Sequence, residues 1–592
     1  MTGGGGIGNG AAAPFFWETE NFMALRTRAA TLSLTVLGAA ALSACASVPA
    51  PQPVAVTPGA LQILALNDFH GNLEPSAFEV RYHDDASGSE QRAVLGGAAR
   101  MAATLDRLRQ EQPFSVTVAA GDLVGGSPLS SAYFLDEPAI AALNQMGLQV
   151  ASVGNHEFDR GTVELRRLQD GGCAQHTART PCALDDFGGA DFSYLAGNVV
   201  DQAGKTLFPA GTIRDFGALR VGFIGLTLKD TGKLVSPAGT VGYRFLGEAE
   251  TANRVAADLR RQGADEVVLL IHEGGDVDPY YNTGGCPDLS GAIVPILDAL
   301  DPQIRLVVSG HTHKAYICTL AKPGQPDRLL TSAGRYGNFV TDISASVEPE
   351  TRRFAVLSAR NVPVTAQGGE KAETAAMVAR YVAATEPIAM RVVGSITGDA
   401  AGEEGCFERW TESLVADAQL AASSPADKGG AEIAFINQYG VRTPLEPGAG
   451  GSVTFGQLFA MQPFGNTLVV LEMTGDQLRR VLEEQFCGEG IAEICFSHLT
   501  PSAGFTYAFD ASRPAGSRVT GMALDGKAVD PAGTYRVTVN NFLASGGDGF
   551  SVFTEARPVG DAGVDVDALE NYLGAGDVTV PACGRVADQT RT

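Results

Sequence analysis

Short apolar runs recur through the first half of the chain, and each one stops at side chains able to hold a metal. Leu61-Gln62-Ile63-Leu64-Ala65-Leu66 leads into Asn67-Asp68-Phe69-His70, and the run Phe114 to Ala119 leads into Gly121-Asp122. Val150 to Val153 precedes Gly154-Asn155-His156-Glu157, Val267 to Ile271 precedes His272, and Ile304 to Val308 precedes Gly310-His311-Thr312-His313. Runs of this length, rich in β-branched residues and bounded by Gly or Asp, predict buried strands. Groups placed just past such strand ends converge on the crevice where open α/β sheets bind ligands. Gly368-Gly369 and the stretch Glu370 to Met390 predict a connecting helix, with apolar Ala376, Val378, Ala379, Val382 and Ala383 near helical spacing. Beyond about Gly394 the chain changes character.

The chain holds eight histidines, and five of them fall in these clusters. A single histidine at a strand end is ordinarily structural; five clusters in matching contexts point to a shared site. Asp68 and His70 straddle Phe69, so in extended backbone both face one side and form a chelating pair. Asp122 follows a glycine that permits a tight turn and is the best bridging carboxylate. Asn155 adds a neutral amide oxygen, and His311 and His313, again two apart, can reach two metals. Mixed nitrogen and oxygen ligands suit Zn, Mn, Fe or Co better than Ca or Mg. Two such cations clamp an in-line displacement, one lowering the pKa of a bridging water and both stabilising charge on phosphate oxygens. His156 is then free to stabilise the transition state or protonate the leaving oxygen, with Asp159 three residues on to orient its ring.

The series Asp-x-His, Gly-Asp, Gly-Asn-His-Glu-x-x-Asp, His and Gly-His-x-His resembles the calcineurin-like metallophosphoesterase superfamily. Asn67-Asp68-Phe69-His70-Gly71-Asn72 with Gly154 to Asp159 resembles its 5′-nucleotidase branch. The resemblance implies one metal on Asp68, His70, Asp122 and His313, a second on Asp122, Asn155, His272 and His311, and His156 with Asp159 as the catalytic dyad. Three later segments extend it: Met461-Gln462-Pro463-Phe464-Gly465-Asn466, the loop Asn541-Phe542-Leu543-Ala544-Ser545-Gly546-Gly547-Asp548-Gly549-Phe550, and the turn Ile436-Asn437-Gln438-Tyr439-Gly440-Val441-Arg442. These are similar to the family's nucleoside-binding domain. Phe464 and Phe542 offer two faces for a planar base, a kind of stacking worth about 1–3 kcal/mol per base. Asp548 can accept hydrogen bonds from ribose hydroxyls, Asn437 lies in the arginine turn, and Arg442 can grip phosphate in a bidentate way. Arg409 is the nearest candidate for the family's upstream phosphate arginine. Two departures stand out. Glu412 stands in the segment before Val415-Ala416-Asp417-Ala418, where it would repel an anionic substrate unless it turns away. Gln438-Tyr439 replaces a small pair and would crowd the pocket or add a third aromatic wall.

Met23 to Arg28 followed by an apolar run from Ala29 to Ala44 reads as a signal peptide, since about sixteen residues fall short of the ~20 needed to span a bilayer. Leu42-Ser43-Ala44-Cys45 resembles the bacterial lipobox, which implies cleavage before Cys45, lipidation of its sulfur and a periplasmic protein tethered to the outer membrane. The eight remaining cysteines suit an oxidising compartment. Cys173 with Cys182 and Cys487 with Cys495 can close short loops, leaving Cys286 with Cys318 and Cys406 with Cys583 as the simplest remaining pairs among 105 arrangements. A formal charge of −24 argues against nucleic-acid polymers and anionic membrane surfaces as partners. A small anionic substrate is still compatible, because bound cations dominate the local field.

A chain of 592 residues is too long for one domain. The expected organisation is leader and signal peptide over 1–44, lipid-anchor cysteine and tether over 45–60, a four-layer α/β/β/α metallophosphatase domain over 61–367, a connector helix and hinge over 368–393, and an α/β nucleoside-binding domain over 394–592. The expected protein is a monomeric enzyme that uses two divalent metals, Zn, Mn or Co, and metal-bound hydroxide to remove phosphate from nucleoside 5′-monophosphates. Hydrolysis of 2′,3′-cyclic nucleotides or UDP-sugars fits the same site. A surface nucleotide-binding lipoprotein is the non-enzymatic alternative.

Overall fold

The computed structural model describes residues 59–590 apart from 78, 85–87, 178, 236, 278–285, 287, 399–405, 489–492, 495–496 and 577. The expected signal peptide, Cys45 and Cys495 lie outside the described residues.

The apolar runs form strands as their composition predicts. In chain order these are β1 (Ala60–Leu66), β2 (Ser115–Ala120), β3 (Val150–Ser152) and β4 (Ser193–Leu195), followed by β5 (Gly211–Phe216), β6 (Leu219–Thr227), β7 (Glu266–His272), β8 (Leu306–Val308), β9 (Ala315–Leu320) and β10 (Arg328–Ala333). The chain then returns with β11 (Phe339–Glu348) and β12 (Arg353–Pro363). One six-stranded sheet has the order β12-β11-β1-β2-β3-β4, the other β9-β10-β8-β7-β6-β5. The strands that end at the five clusters all run parallel to their neighbours β1–β2–β3 and β7–β8.

The period of two in β1 explains the layering. Leu61, Ile63 and Ala65 point into an apolar core shared with Val221, Phe223, Val268 and Leu270 of the opposite sheet. Leu64 and Leu66 point the other way, under a helical layer that includes α1 (Ala98–Arg109) and α2 (Glu137–Gln145). The second sheet's outer face is covered by α3 (Glu248–Arg261) and α4 (Ile293–Ala299) through Val255, Leu259, Ile293 and Leu297. The result is the four-layer α/β/β/α arrangement expected.

The connector forms α5 (Ala372–Ala389), but its buried face is Thr374, Met377, Val378, Tyr381 and Thr385. Ala376, Ala379 and Ala383, counted in the expected apolar stripe, are exposed. The larger side chains win the core because they bury more area per residue, and they join the helical layer of the first domain.

Beyond it a five-stranded sheet, ordered Leu499–Pro501, Ile433–Asn437, Thr534–Asn540, Thr467–Thr474 and Arg557–Val564, packs against α6 (Trp410–Ser423). The described residues form one compact unit. Disulfides join Cys173–Cys182, Cys286–Cys318 and Cys406–Cys583, as the spacing suggested, and Cys487 is also disulfide-bonded.

Candidate metal centre

Parallel strand ends deliver Asp68, Asp122, Asn155, His272 and His311 to one crevice, but the backbone there is not extended. Asp68, His70, Asp122, His311 and His313 all have positive φ, between 47° and 73°. Such conformations are uncommon outside glycine and are held only where the surroundings over-determine them. The expectation that Asp68 and His70 share a side through extended backbone is therefore corrected: two left-handed residues flanking Phe69 turn both side chains inward. His70 N–H donates to Asp122 O and Asp68 N–H to Gly121 O, which locks the two loops together.

Two groups of candidate ligands result. Asp68, His70 and His313 form one, and Asp122, His272 and His311 the other. In the first, His70 Nε2 lies 3.2 Å from His313 Nε2, and His313 Nε2 lies 3.4 Å from Asp68 Oδ1. In the second, His272 Nε2 lies 3.0 Å from Asp122 Oδ2 and 3.1 Å from Asn155 Oδ1, and His311 Nδ1 lies 3.1 Å from the same amide oxygen. Asp122 Oδ2 also lies 3.6 Å from His70 Nε2, so this carboxylate stands between the groups.

The donor chemistry fits a cation in each group. His70 Nδ1 faces Gly125 O at 2.7 Å and His272 Nδ1 faces Ala120 O at 2.8 Å. A carbonyl only accepts, so both Nδ1 atoms carry the proton and both Nε2 lone pairs point into the cluster. Electron-rich atoms converging at 3.0–3.6 Å repel one another unless positive charge lies between them. Burial holds His311 down at about 3 and His313 at about 4, both neutral and ready to ligate. Burial also pulls His272 down, but the charge of Asp122 overrides it and raises the ring to about 10, a measure of how strongly this carboxylate calls for a positive neighbour.

The expected dyad is assembled beside this cluster. His156 Nδ1 lies 2.9 Å from Asp159 Oδ2, and the His156 backbone N–H donates to Asp122 Oδ1 at 2.9 Å. Burial lowers the His156 pKa, yet the charges of Asp159 and Asp122 and the Asp159 hydrogen bond carry it above its ordinary value.

Several supports were not singled out as functional in the sequence. Glu157, buried, accepts from the backbone N–H groups of Asp122 (3.0 Å), Leu123 (2.7 Å) and Gly154 (2.6 Å) and so clips two ligand loops together. Burial and the Asp122 charge push Glu157 up to about 7. Asn67 donates to Asp68 Oδ2 at 2.6 Å and to Gly334 O at 2.8 Å. Both lie inside the motifs already quoted, so the signal was present. Tyr336 (φ 59°) packs its ring in T-shaped contact with His70 and His313, with centroids 5.8 Å and 5.5 Å away, and no sequence pattern marks it. Glycines close the cage where no side chain fits: a Cβ on Gly154 would stand 2.1 Å from Asp122 Oδ1.

From the C-terminal domain, Arg442 and Phe464 reach this centre. The Arg442 guanidinium lies over the rings of Tyr336 (5.6 Å) and Phe464 (5.9 Å), and its charge adds to burial, the larger cause, in lowering the pKa of His70 and His313. Arg442 Nε and Nη2 are buried and have no hydrogen-bond partner among the described residues. Phe464 stacks on His156, with centroids 5.7 Å apart and planes at 17°. The expected sandwich partner, Phe542, is half-buried and packs against Gly547. Asp548 Oδ2 accepts from Asn437 Nδ2 at 2.7 Å, which gathers Asn437, Asp548 and the Phe542 loop at one sheet end.

Arg409 is drawn into other contacts, donating through Nε to Glu412 Oε1 at 2.6 Å and through Nη2 to Gln438 O at 3.1 Å. Glu412 turns away from the substrate side as required: it is fully buried and accepts from His498 Nε2 and Thr500 Oγ1. Tyr439 is 60% exposed, and the charges of Asp548 and Asp276 reach it.

Comparison with known proteins agrees with this geometry. Residues 61–315 match the calcineurin-like phosphoesterase family, and residues 392–555 match the 5′-nucleotidase C-terminal domain. A Bacillus subtilis (strain 168) protein named as an endonuclease is 30% identical over 82% of this chain, which spans only 37% of that relative's length. A 5′-nucleotidase of Vibrio cholerae is 25% identical, with 90% of this chain and 94% of the relative covered. Among solved structures, a 5′-nucleotidase precursor from Thermus thermophilus superposes with a TM-score of 0.69 at 25% identity, covering 89% of this chain and 99% of the other.

Proposed function

The chain belongs to the calcineurin-like phosphoesterases that carry a 5′-nucleotidase C-terminal domain, metal-dependent phosphoric ester hydrolases, and from that premise we propose that it removes phosphate from nucleoside 5′-monophosphates. The observation that carries this reading is Arg442. A half-buried arginine with two buried nitrogens unpartnered among the described residues, held beside the histidine and carboxylate cluster, is costly unless an anion completes it. A phosphate monoester fits, because the planar fork matches two phosphoryl oxygens at once.

In this reading Asp68, His70, Asp122 and His313 hold one cation, and Asp122, Asn155, His272 and His311 hold the other. When bound, two such ions, Zn, Mn or Co by donor type, activate water and offset charge on the phosphoryl oxygens. Asp159 fixes the His156 ring through Nδ1, leaving Nε2 to give its proton to the departing ribose oxygen. Arg442 orients the phosphoryl group, and Phe464 stacked on His156 keeps water from that face. Phe464 and Phe542 supply aromatic contacts for the base, and Asp548 with Asn437 receives the ribose hydroxyls. The domain limits at 61–367, 368–393 and 394–592 remain our proposal. So do a single-chain enzyme and a periplasmic, lipid-anchored location through Cys45. Three disulfides support an oxidising compartment.

The test is metal analysis of purified protein together with initial rates on adenosine 5′-monophosphate, UDP-glucose and 2′,3′-cyclic AMP. Highest kcat/KM on the monophosphate supports the assignment. Preference for either other ester moves the substrate, and absence of turnover on all three overturns it.

A further inference from the structure

Behind the metal centre lies a second buried ionic group that neither ligates nor reaches substrate. Asp136 is fully buried and adopts φ 62°, ψ 15°, and the residue before it, Leu135, has φ 57°. Two successive non-glycine residues in the left-handed region are rare and unfavourable, so what they place is informative. They place a carboxylate. Its Oδ2 accepts from Arg160 Nη1, and its Oδ1 accepts from Ser131 Oγ at 2.8 Å. Arg160 Nη2 also donates to Ala132 O at 3.3 Å. Arg160 directly follows Asp159 in the chain, and Ser131 Oγ lies against Gly71, where a Cβ would stand 2.7 Å away. One carboxylate thus bonds both the residue that follows Asp159 and a serine packed closely against Gly71, next to His70.

Burial opposes the charge on Arg160, yet its pKa is raised by Asp136 first, then by the charges of Asp159 and Glu164; Arg179 is the nearby cation. Arg160 is therefore within electrostatic reach of Asp159. We propose that Asp136 is a positioning residue that holds Arg160 off Asp159, so that Asp159 stays bonded to His156. An unpaired guanidinium beside Asp159 would compete for the oxygens that His156 Nδ1 uses, because its planar fork takes both carboxylate oxygens at once. The inference rests on the proposed function, in which His156 protonates the leaving oxygen.

The experiment uses the full chain with its metals and compares adenosine 5′-monophosphate, whose alkoxide needs a proton to leave, with p-nitrophenyl phosphate, whose phenolate does not. Asp136→Asn and Asp136→Gly are each made alone and with Arg160→Gln. The glycine variant is included because glycine adopts the required φ without strain, which separates a backbone effect from loss of the carboxylate. A positioned proton donor contributes about 10²–10⁴-fold, so each single variant is expected to lose roughly tenfold or more in kcat on the nucleotide, with KM within about twofold. Little loss is expected on p-nitrophenyl phosphate, and Arg160→Gln restores the ratio between the esters. An equal loss on both esters, or a loss that Arg160→Gln leaves in place, overturns the inference while wild-type turnover keeps the functional reading intact. A wild type that turns over no nucleotide overturns both.

Discussion

Replacing Glu412 by glutamine is a perturbation whose size follows from the structure. The carboxylate is fully buried, 2.9 Å from His498 Nε2, 2.8 Å from Thr500 Oγ1 and 2.6 Å from Arg409 Nε. Burial alone would raise its pKa, but the His498 bond and charge, with Arg409 and Thr500, bring it down to about 2 from the ordinary 4.5. At about 1.4 kcal/mol per unit, that difference contributes about 3 kcal/mol of stability at neutral pH. The folded value lies below the unfolded one, so the stabilisation is complete above the unfolded pKa and disappears as pH falls from about 4.5 through about 2. Trp410, at the start of the same helix, reports the unfolding by fluorescence during urea titration with disulfides intact. Glu412→Gln should lower stability by about 3 kcal/mol at pH 7 and by almost nothing near pH 2, with kcat on nucleotide unchanged. Equal stability at pH 7, or a gap that persists at pH 2, would refute the ion-pair argument. A large rise in catalytic efficiency would show that Glu412 repels substrate after all.

Other expectations follow from the same geometry. Asp122→Ala removes the carboxylate between the two groups and should abolish both metal loading, read by elemental analysis, and turnover; full activity would sink the bridging assignment. Arg442→Lys keeps the charge but loses the fork, so KM for a nucleoside monophosphate should rise roughly tenfold, in line with about 1.5–3 kcal/mol for a charged hydrogen bond, while metal content is unchanged. Gly154→Ala places a Cβ 2.1 Å from Asp122 Oδ1, so the loops must shift and metal binding should weaken sharply. A normal metal affinity in that variant would mean the cage is looser than its contacts indicate.

The fold was legible because strand-forming runs and their polar stops carry their own signal. Leu61, Ile63 and Ala65 alternating with Leu64 and Leu66 specify a strand buried on both faces, and that alone calls for layers above and below. The candidate metal ligands were legible too, since each sits at the end of such a run. What was misread is conformational. Asp68 and His70 look extended by spacing but are left-handed, because hydrogen bonds to the Asp122 loop dictate the backbone. Of the connector's expected stripe Val378 is buried and Val382 half-buried, but its three alanines are exposed and Met377 and Tyr381 take the core.

By itself, then, the sequence determined where the strands run, the set of residues able to bind metal and the two-domain plan, because period and residue type act locally. Only the tertiary structure decided the partners. It set Phe464 on His156, left two Arg442 nitrogens without a hydrogen-bond partner among the described residues, turned Glu412 inward to His498, and paired Asp136 with Arg160. Which charges meet depends on distances between segments far apart in the chain, and no local pattern encodes those distances.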